Sequence, residues 1–388
     1  NKKASRPGFK KTKVGWIPRT WEVMKVGGLL DTSSLGGSYS NSEDNEGLPL
    51  IKMGNLSRGQ ITLDKVEHVH KDEEIRNSDR LKDGDVLLNT RNTPELVGKV
   101  ALWRNELPEA LYDNNLMRMR FAPDLIASGR FANYSLNSFY ARKQLWSYAI
   151  GTTSVAAIYK RDALKVKLAV PPLPEQRRIA GVLQSWDRAL RQIDDLIAAK
   201  ERRKKALMQQ LLTGKTRLPG FENTDWVERR LGDLFNERKE RGRGDLDLLA
   251  ITKDNGIIDR DELDRRDTSN SDKSRYRRVA PGDIAYNTMR MWQGVSGLST
   301  LEGIVSPAYT VCIPQEGVNP EFAAYLFKLP RVVYNFRRFS QGLVSDTLNL
   351  RFDNFAQVRV TIPQSTEEQK AIANILSTCD SELEVLRT

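Results

Sequence analysis

Residues 171–200 read PPLPEQRRIAGVLQSWDRALRQIDDLIAAK, and residues 363–388 read PQSTEEQKAIANILSTCDSELEVLRT. Aligned on Glu175-Gln176 and Glu368-Gln369, a single offset sets Ile179, Ala180, Leu183 and Asp187 against Ile372, Ala373, Leu376 and Asp380. In the first copy apolar residues fall at Ile179, Leu183, Trp186, Leu190, Ile193 and Ile197, then at Leu207 and Leu211, with Lys200 and Lys204 filling the register between. Steps of four and three define a heptad stripe, which has to be buried against another helix. The second copy keeps the phase with Ile372, Leu376, Cys379, Leu383 and Leu386, so an antiparallel pairing of the two helices is the simplest closure. Pro174 and Gly214 bracket the first helix as start and stop signals. At a rise of about 1.5 Å per residue, its roughly 38 residues make a spacer of about 55 Å rather than a core helix. The second copy stops at Thr388, opposite Asp195, so it has no counterpart of residues 196–214.

Upstream of each helix the chain also repeats. Trp21 opens WEVMKVGGLLD and Trp226 opens WVERRLGDLFN, each preceded by a Gly-aromatic pair, Gly15-Trp16 and Gly220-Phe221. Gly84-Asp85 and Gly282-Asp283 each launch an apolar run ending in Asn-Thr, at Asn89-Thr90 and Asn287-Thr288, as a turn followed by a strand would. The alternating runs at 165–171 and 357–363 both stop at proline and enter the helix. The period is half the chain, so each unit is a whole domain followed by a helix and not a solenoid repeat. The expected architecture is mixed α/β (α+β): two pseudo-twofold-related domains, 1–174 and 214–366, separated by two long antiparallel coiled-coil helices, 175–213 and 367–388.

Composition sets the class. At 388 residues the chain is long enough for two cores, and 39% hydrophobic with 8% aromatic content is enough to fill them. Its apolar stretches are short and broken by proline, so neither a membrane span nor a secretory signal is read. Cys312 and Cys379, the only cysteines, lack metal-ligand spacing, which fits a reducing cytoplasm and no structural zinc. A net charge of +11 predicts attraction to a polyanion. The basic run Lys200, Arg202, Arg203, Lys204, Lys205, Lys215 and Arg217 reads either as a solvated face or as a surface for phosphate or an acidic partner.

Catalytic chemistry has little to draw on. The two histidines, His68 and His70, lie in a polar EHVHKDEE run that reads as a solvated loop. Gly214-Lys215-Thr216 ends like a phosphate-binding loop, but the glycine such a loop needs five residues earlier is Gln209. No glycine-rich cofactor loop is present, and Asn319-Pro320-Glu321-Phe322 only faintly echoes an amino-methyltransferase segment. Dispersed acids such as those in 254–267 leave a magnesium-dependent nuclease as a rival reading, and a DNA-binding coiled-coil scaffold without a methyltransferase partner is another.

The chain resembles the specificity subunits of type I restriction-modification systems over essentially its whole length. The resemblance is carried by KTKVGWIP at 11–18 with Trp21, by PPLPEQ at 171–176 with Ile179-Ala180, and by LMQQLLTG at 207–214. Their second-half counterparts are LPGF at 218–221 with Trp226, and Ile362-Pro363 with Glu368-Gln369, Ile372 and Ala373. It implies two target-recognition domains, each reading one half of a bipartite double-stranded DNA sequence, and helices that set the spacing and bind two modification (methyltransferase) subunits. Those subunits would hold S-adenosylmethionine and bring in restriction (helicase-nuclease) subunits that use ATP and magnesium. The chain itself would be non-catalytic, with no cofactor and no metal.

Base reading calls for Arg, Lys, Asn and Gln on loops, beside other groups that hold only phosphate. The first-domain candidates are Tyr39, Arg58, Asn89, Arg91, Asn92, Arg118, and Thr153 and Ser154 in the loop that begins at Thr152. In the second domain they are Lys253, Asn255, Arg275, Tyr276, Arg277, Arg290, Trp292, Gln293, Arg337, Arg338 and Gln341. The expected helix-pairing set is Ile179, Leu183, Trp186, Leu190 and Ile193 with Ile372, Leu376, Leu383 and Leu386. Trp16, Trp21 and Trp226 read as packing anchors.

Overall fold

Each Gly-Asp turn becomes a carboxylate-pinned corner of a sheet. Gly84 and Gly282 adopt φ of +88° and +89°, the left-handed region open to glycine. The following carboxylate then accepts a hydrogen bond from the backbone of the turn, Lys82 N to Asp85 at 2.9 Å and Ala280 N to Asp283 at 2.8 Å. A guanidinium closes each corner bidentately: Arg120 on Asp85 at 2.6 and 2.9 Å, and Arg238 on Asp283 at the same two distances. Both aspartates are buried, and a planar fork satisfies both oxygens of a carboxylate taken out of water.

The computed structural model describes residues 6–44, 46–152, 154–253, 255–263, 272–344 and 347–388. Two compact units divide between Leu190 and Arg191. This boundary falls inside the one long helix, Leu173–Leu211, where the sequence reading cut at the ends of the helix.

Each unit is built on an antiparallel four-stranded sheet of the same order. In the first unit the neighbours run Val100–Leu102, Val86–Asn89, Leu116–Phe121, Leu30–Leu35. In the second they run Ser296–Leu298, Ile284–Asn287, Tyr309–Pro314, Phe235–Glu237. The strands that follow the Gly-Asp turns are buried on both faces, which explains their unbroken apolar runs. On one face sit two helices: Gly129–Asn137 with Phe139–Ser147, and Pro320–Leu326 with Pro330–Phe339. The strand before each main helix pairs with the strand after the repeated Trp, Lys167–Val170 with Glu22–Lys25 and Arg359–Pro363 with Trp226–Arg230.

The Glu-Gln pair that opens both helices ties each helix to its unit. Gln176 accepts from Ala127 N at 2.9 Å and donates to Leu125 O and Pro171 O; Gln369 accepts from Asn319 N at 2.8 Å and donates to Gly317 O and Pro363 O. The indole N–H of Trp21 donates to Glu175 at 3.0 Å and that of Trp226 to Glu368 at 3.2 Å, so each indole ties the start of its unit to the helix, and Trp226 also packs on the second core. Tyr134 and Tyr325 donate to Asp187 and Asp380, at 2.5 and 2.6 Å.

The helix pairing corrects the expected seam. Thr366–Arg387 runs antiparallel to the distal part of the long helix, with Lys200 on Glu382, Lys204 on Asp380 and Arg387 on Glu201. Leu211 and Leu212 join Ile372, Ala373 and Leu376 in the second core, with Leu207 and Met208 packed on it, and Leu383 is buried as well while Leu386 is half-buried. By contrast Leu183, Trp186, Leu190 and Ile193 are exposed, and Ile179 packs on the first core. The heptad phase is right, but the second helix is met by Lys200 and Lys204, through Glu382 and Asp380, and by the apolar residues 207–212, while Leu183, Trp186, Leu190 and Ile193 stay exposed.

Candidate nucleic-acid interface

Both units turn the Asn-Thr end of the central strand into the same exposed tip. In the first, Asn89 Oδ1 accepts from Arg91 N at 3.1 Å, while Thr90 donates its N–H and its hydroxyl to Asn115 O at 2.8 and 2.7 Å. In the second, Asn287 Oδ1 accepts from Met289 N at 3.0 Å and Thr288 donates twice to Ala308 O, at 3.1 and 2.9 Å. A later segment then crosses over, with Ile158 N donating to Thr90 O and Leu350 N to Thr288 O, each at 2.8 Å. Asn and Thr recur there because their side chains replace backbone partners in a tight loop.

The first tip gathers three of the described candidates, Arg91, Asn92 and Ser154. Arg91 and Asn92 pair with Ala157 and Ala156, which pair in turn with Ile150 and Gly151. Thr152 and Ser154 cap that hairpin; Thr153 lies outside the described residues. Ile150, Val155 and Tyr159 are exposed around it. Arg58 stands exposed near helix Phe139–Ser147, whose outer face adds Arg142, Lys143 and Trp146. Sequence reasoning missed these three, although two basic and three aromatic residues in FYARKQLWS were a visible signal.

At the second tip Arg290 is exposed and Trp292 donates its indole N–H to Met289 O at 3.0 Å. The Arg337 guanidinium lies 5.8 Å from the Trp292 ring centroid, from the helix Pro330–Phe339. Gln341 pairs with Asn349, one residue before the Leu350 crossover, and Gln293 and Arg338 are exposed on the same elements. The structure thus brings together Arg290, Trp292, Gln293, Arg337 and Gln341.

Other candidates belong to the packing. Asn89 is buried and shapes the loop. Arg118 is buried, donating to Ser78 O, Arg80 O and Ser34, with its guanidinium 5.1 Å from the Tyr112 centroid. Tyr276 is buried under Lys273, and Arg277 is paired with Glu237. Residue type in a loop-like run points to all four, but burial and these contacts hold them inside the unit, even though Asn89 Nδ2, Arg118 Nε and Arg277 Nε keep no hydrogen-bond partner there. Tyr39 donates to Asp79 at 2.6 Å in a polar depression that also holds Lys52 and Asn114. Burial and the Asp79 bond push its hydroxyl above the ordinary tyrosine value. Lys253 and Asn255 are exposed on the hairpin joining Leu249–Ile251 to Ile257–Asp259, and Arg275 is exposed before Tyr276. Among the described residues no group of three or more His, Cys, Asp or Glu stands close enough to hold a metal, and no helix is long and apolar enough to cross a membrane.

Residues 18–199 and 223–387 match the type I restriction modification DNA specificity domain, which covers both units. The chain belongs to that family. Among its curated relatives are two specificity subunits of type I restriction enzymes from Methanocaldococcus jannaschii. MjaX, a provisional assignment, is 28% identical over 58% of this chain and 52% of its own length; MjaVIII is 33% identical over 54% and 49%. This member of the specificity family spans about half the length of the curated relatives it matches. Its fold is similar to that of the type I restriction-modification S subunit of M. genitalium, with a TM-score of 0.58, 14% identity and 95% and 91% of the two chains covered. The HsdS subunit of Thermoanaerobacter tengcongensis gives 0.50 at 18% identity, covering 96% and 92%.

Proposed function

We propose that this chain is the DNA-reading specificity subunit of a type I restriction-modification complex, each unit reading one half of a bipartite target. The observation that carries this reading is the pair of tips: one backbone scaffold in both units, presenting Arg91 and Asn92 in one and Arg290, Trp292 and Gln293 in the other. A shared scaffold with different donors is what two unlike half-sites require, since the scaffold sets the approach to the groove and the side chains set the sequence read.

In this role the chain performs no chemistry. Its long helix and the helix Thr366–Arg387 recruit two modification subunits, which supply S-adenosylmethionine, and through them restriction subunits using ATP and magnesium. The complex works on chromosomal and incoming DNA in the cytoplasm. Methylation-aware sequencing of DNA from cells expressing the chain with its modification subunit should reveal a two-part motif. Arg290→Ala should then weaken recognition of one half of it by about 1 to 3 kcal/mol and leave the other intact. Equal loss at both halves, or methylation without a bipartite motif, overturns the reading.

A further inference from the structure

Outside the two tips, the first unit carries a cleft of about 540 Å³ lined by Arg58, Glu95, Phe139, Arg142, Lys143 and Trp146. Two features set it apart. Its three cations outnumber its one carboxylate, Glu95, and among the described residues Arg58, Arg142 and Lys143 form no ion pair with it or any other acid, whereas Arg76, Arg80 and Arg120 of the same unit are all paired. Partial burial and the facing Arg142 charge hold the Arg58 guanidinium below its ordinary value. Like charges gathered in excess of their counter-charge cost folding energy that a bound anion recovers. Its walls are also aromatic, with Phe139 71% and Trp146 69% exposed, far more apolar ring than a solvated helix face needs.

The cleft is continuous with the first tip. Glu95, Val97 and Gly98 of its wall belong to the loop that begins at Arg91, and Gly98 N donates back to Asn89 O at 2.9 Å. The second unit places similar chemistry beside its own tip, with Arg337 lying against Trp292. Alternating guanidinium and ring surfaces match a nucleic-acid backbone, in which phosphates alternate with apolar sugar faces.

We propose that this cleft is a backbone clamp: Arg58 and Arg142 hold a DNA phosphate next to the bases reached by Arg91 and Asn92, Lys143 neutralises its neighbour, and Trp146 packs against the intervening deoxyribose. The inference rests on the DNA-reading function and assigns the clamp residues a positional, sequence-independent role.

The test is binding of the purified chain to its modification subunits, and to a target duplex and a scrambled duplex across a series of KCl concentrations. Arg58→Gln with Arg142→Gln should weaken both duplexes by the same factor and lower the salt slope by about 0.9 for each phosphate that is no longer neutralised. Trp146→Ala should weaken both with the slope unchanged. Arg243→Gln, at a guanidinium paired with Asp245, is the control and should leave the slope as it was. An unchanged slope in the double variant overturns the clamp. So does a loss confined to the target duplex, which would make these residues base readers, or a loss confined to binding of modification subunits, which would make the cleft a protein dock. If the wild-type chain binds neither duplex at any salt even with its modification subunits added, the DNA-reading function itself falls.

Discussion

A buried amide decides how each helix is joined to its unit. Gln369 is fully buried and satisfies one backbone N–H and two carbonyls with a single side chain. Gln369→Leu keeps the approximate volume but strands those groups, at about 1–3 kcal/mol for each one left unpaired, and should lower the denaturant midpoint of the second unit. Asp113 offers a pH-dependent counterpart in the first. Burial raises its carboxyl above the ordinary value of 3.8, against the opposing pull of two Asn115 donors. A folded-state value above the unfolded one means that the stability this group contributes is complete below 3.8 and is lost as pH rises through the folded value. Asp113→Asn should therefore flatten the decline in stability just above pH 3.8; urea titrations whose pH profile is unchanged would refute this.

Among the elements, the long helix has two differently loaded halves. Leu376, Cys379 and Leu383 are at most 8% exposed, while their repeat counterparts Leu183, Trp186 and Leu190 are 38%, 66% and 58% exposed. The difference follows from what each unit contains. Leu207, Met208, Leu211 and Leu212 cover the second helix, and the described residues of the first unit include no equivalent segment. Leu376→Ala should cost about 2–5 kcal/mol, the price of a core cavity, while Leu183→Ala should change stability by less than about 1 kcal/mol. Comparable losses for the two, measured by chemical denaturation, would mean that the first half is covered after all.

For the molecule as a whole, two separate cores predict two thermal transitions, and Leu376→Ala should lower only that of the second unit in calorimetry. A single transition shifting as one would show the cores to be coupled. The sequence by itself determined the duplication, the strand-turn scaffold and the helix phase, because hydrophobic period, Gly-Asp turns and the Glu-Gln pair are local patterns that persist whatever surrounds them. It also marked Arg91, Asn92, Arg290, Trp292 and Gln293, which sit at the ends of those legible strands. Only the tertiary structure decided that Asn89, Arg118, Tyr276 and Arg277 serve the packing, since they are held inside the fold by Arg91 N, Ser78 O, the Lys273 stack and Glu237, partners that residue type alone does not reveal. The same holds for the seam: a heptad stripe says that a face must be covered, and only the folded chain shows that residues 207–212 cover one copy while Leu183, Trp186 and Leu190 stay open.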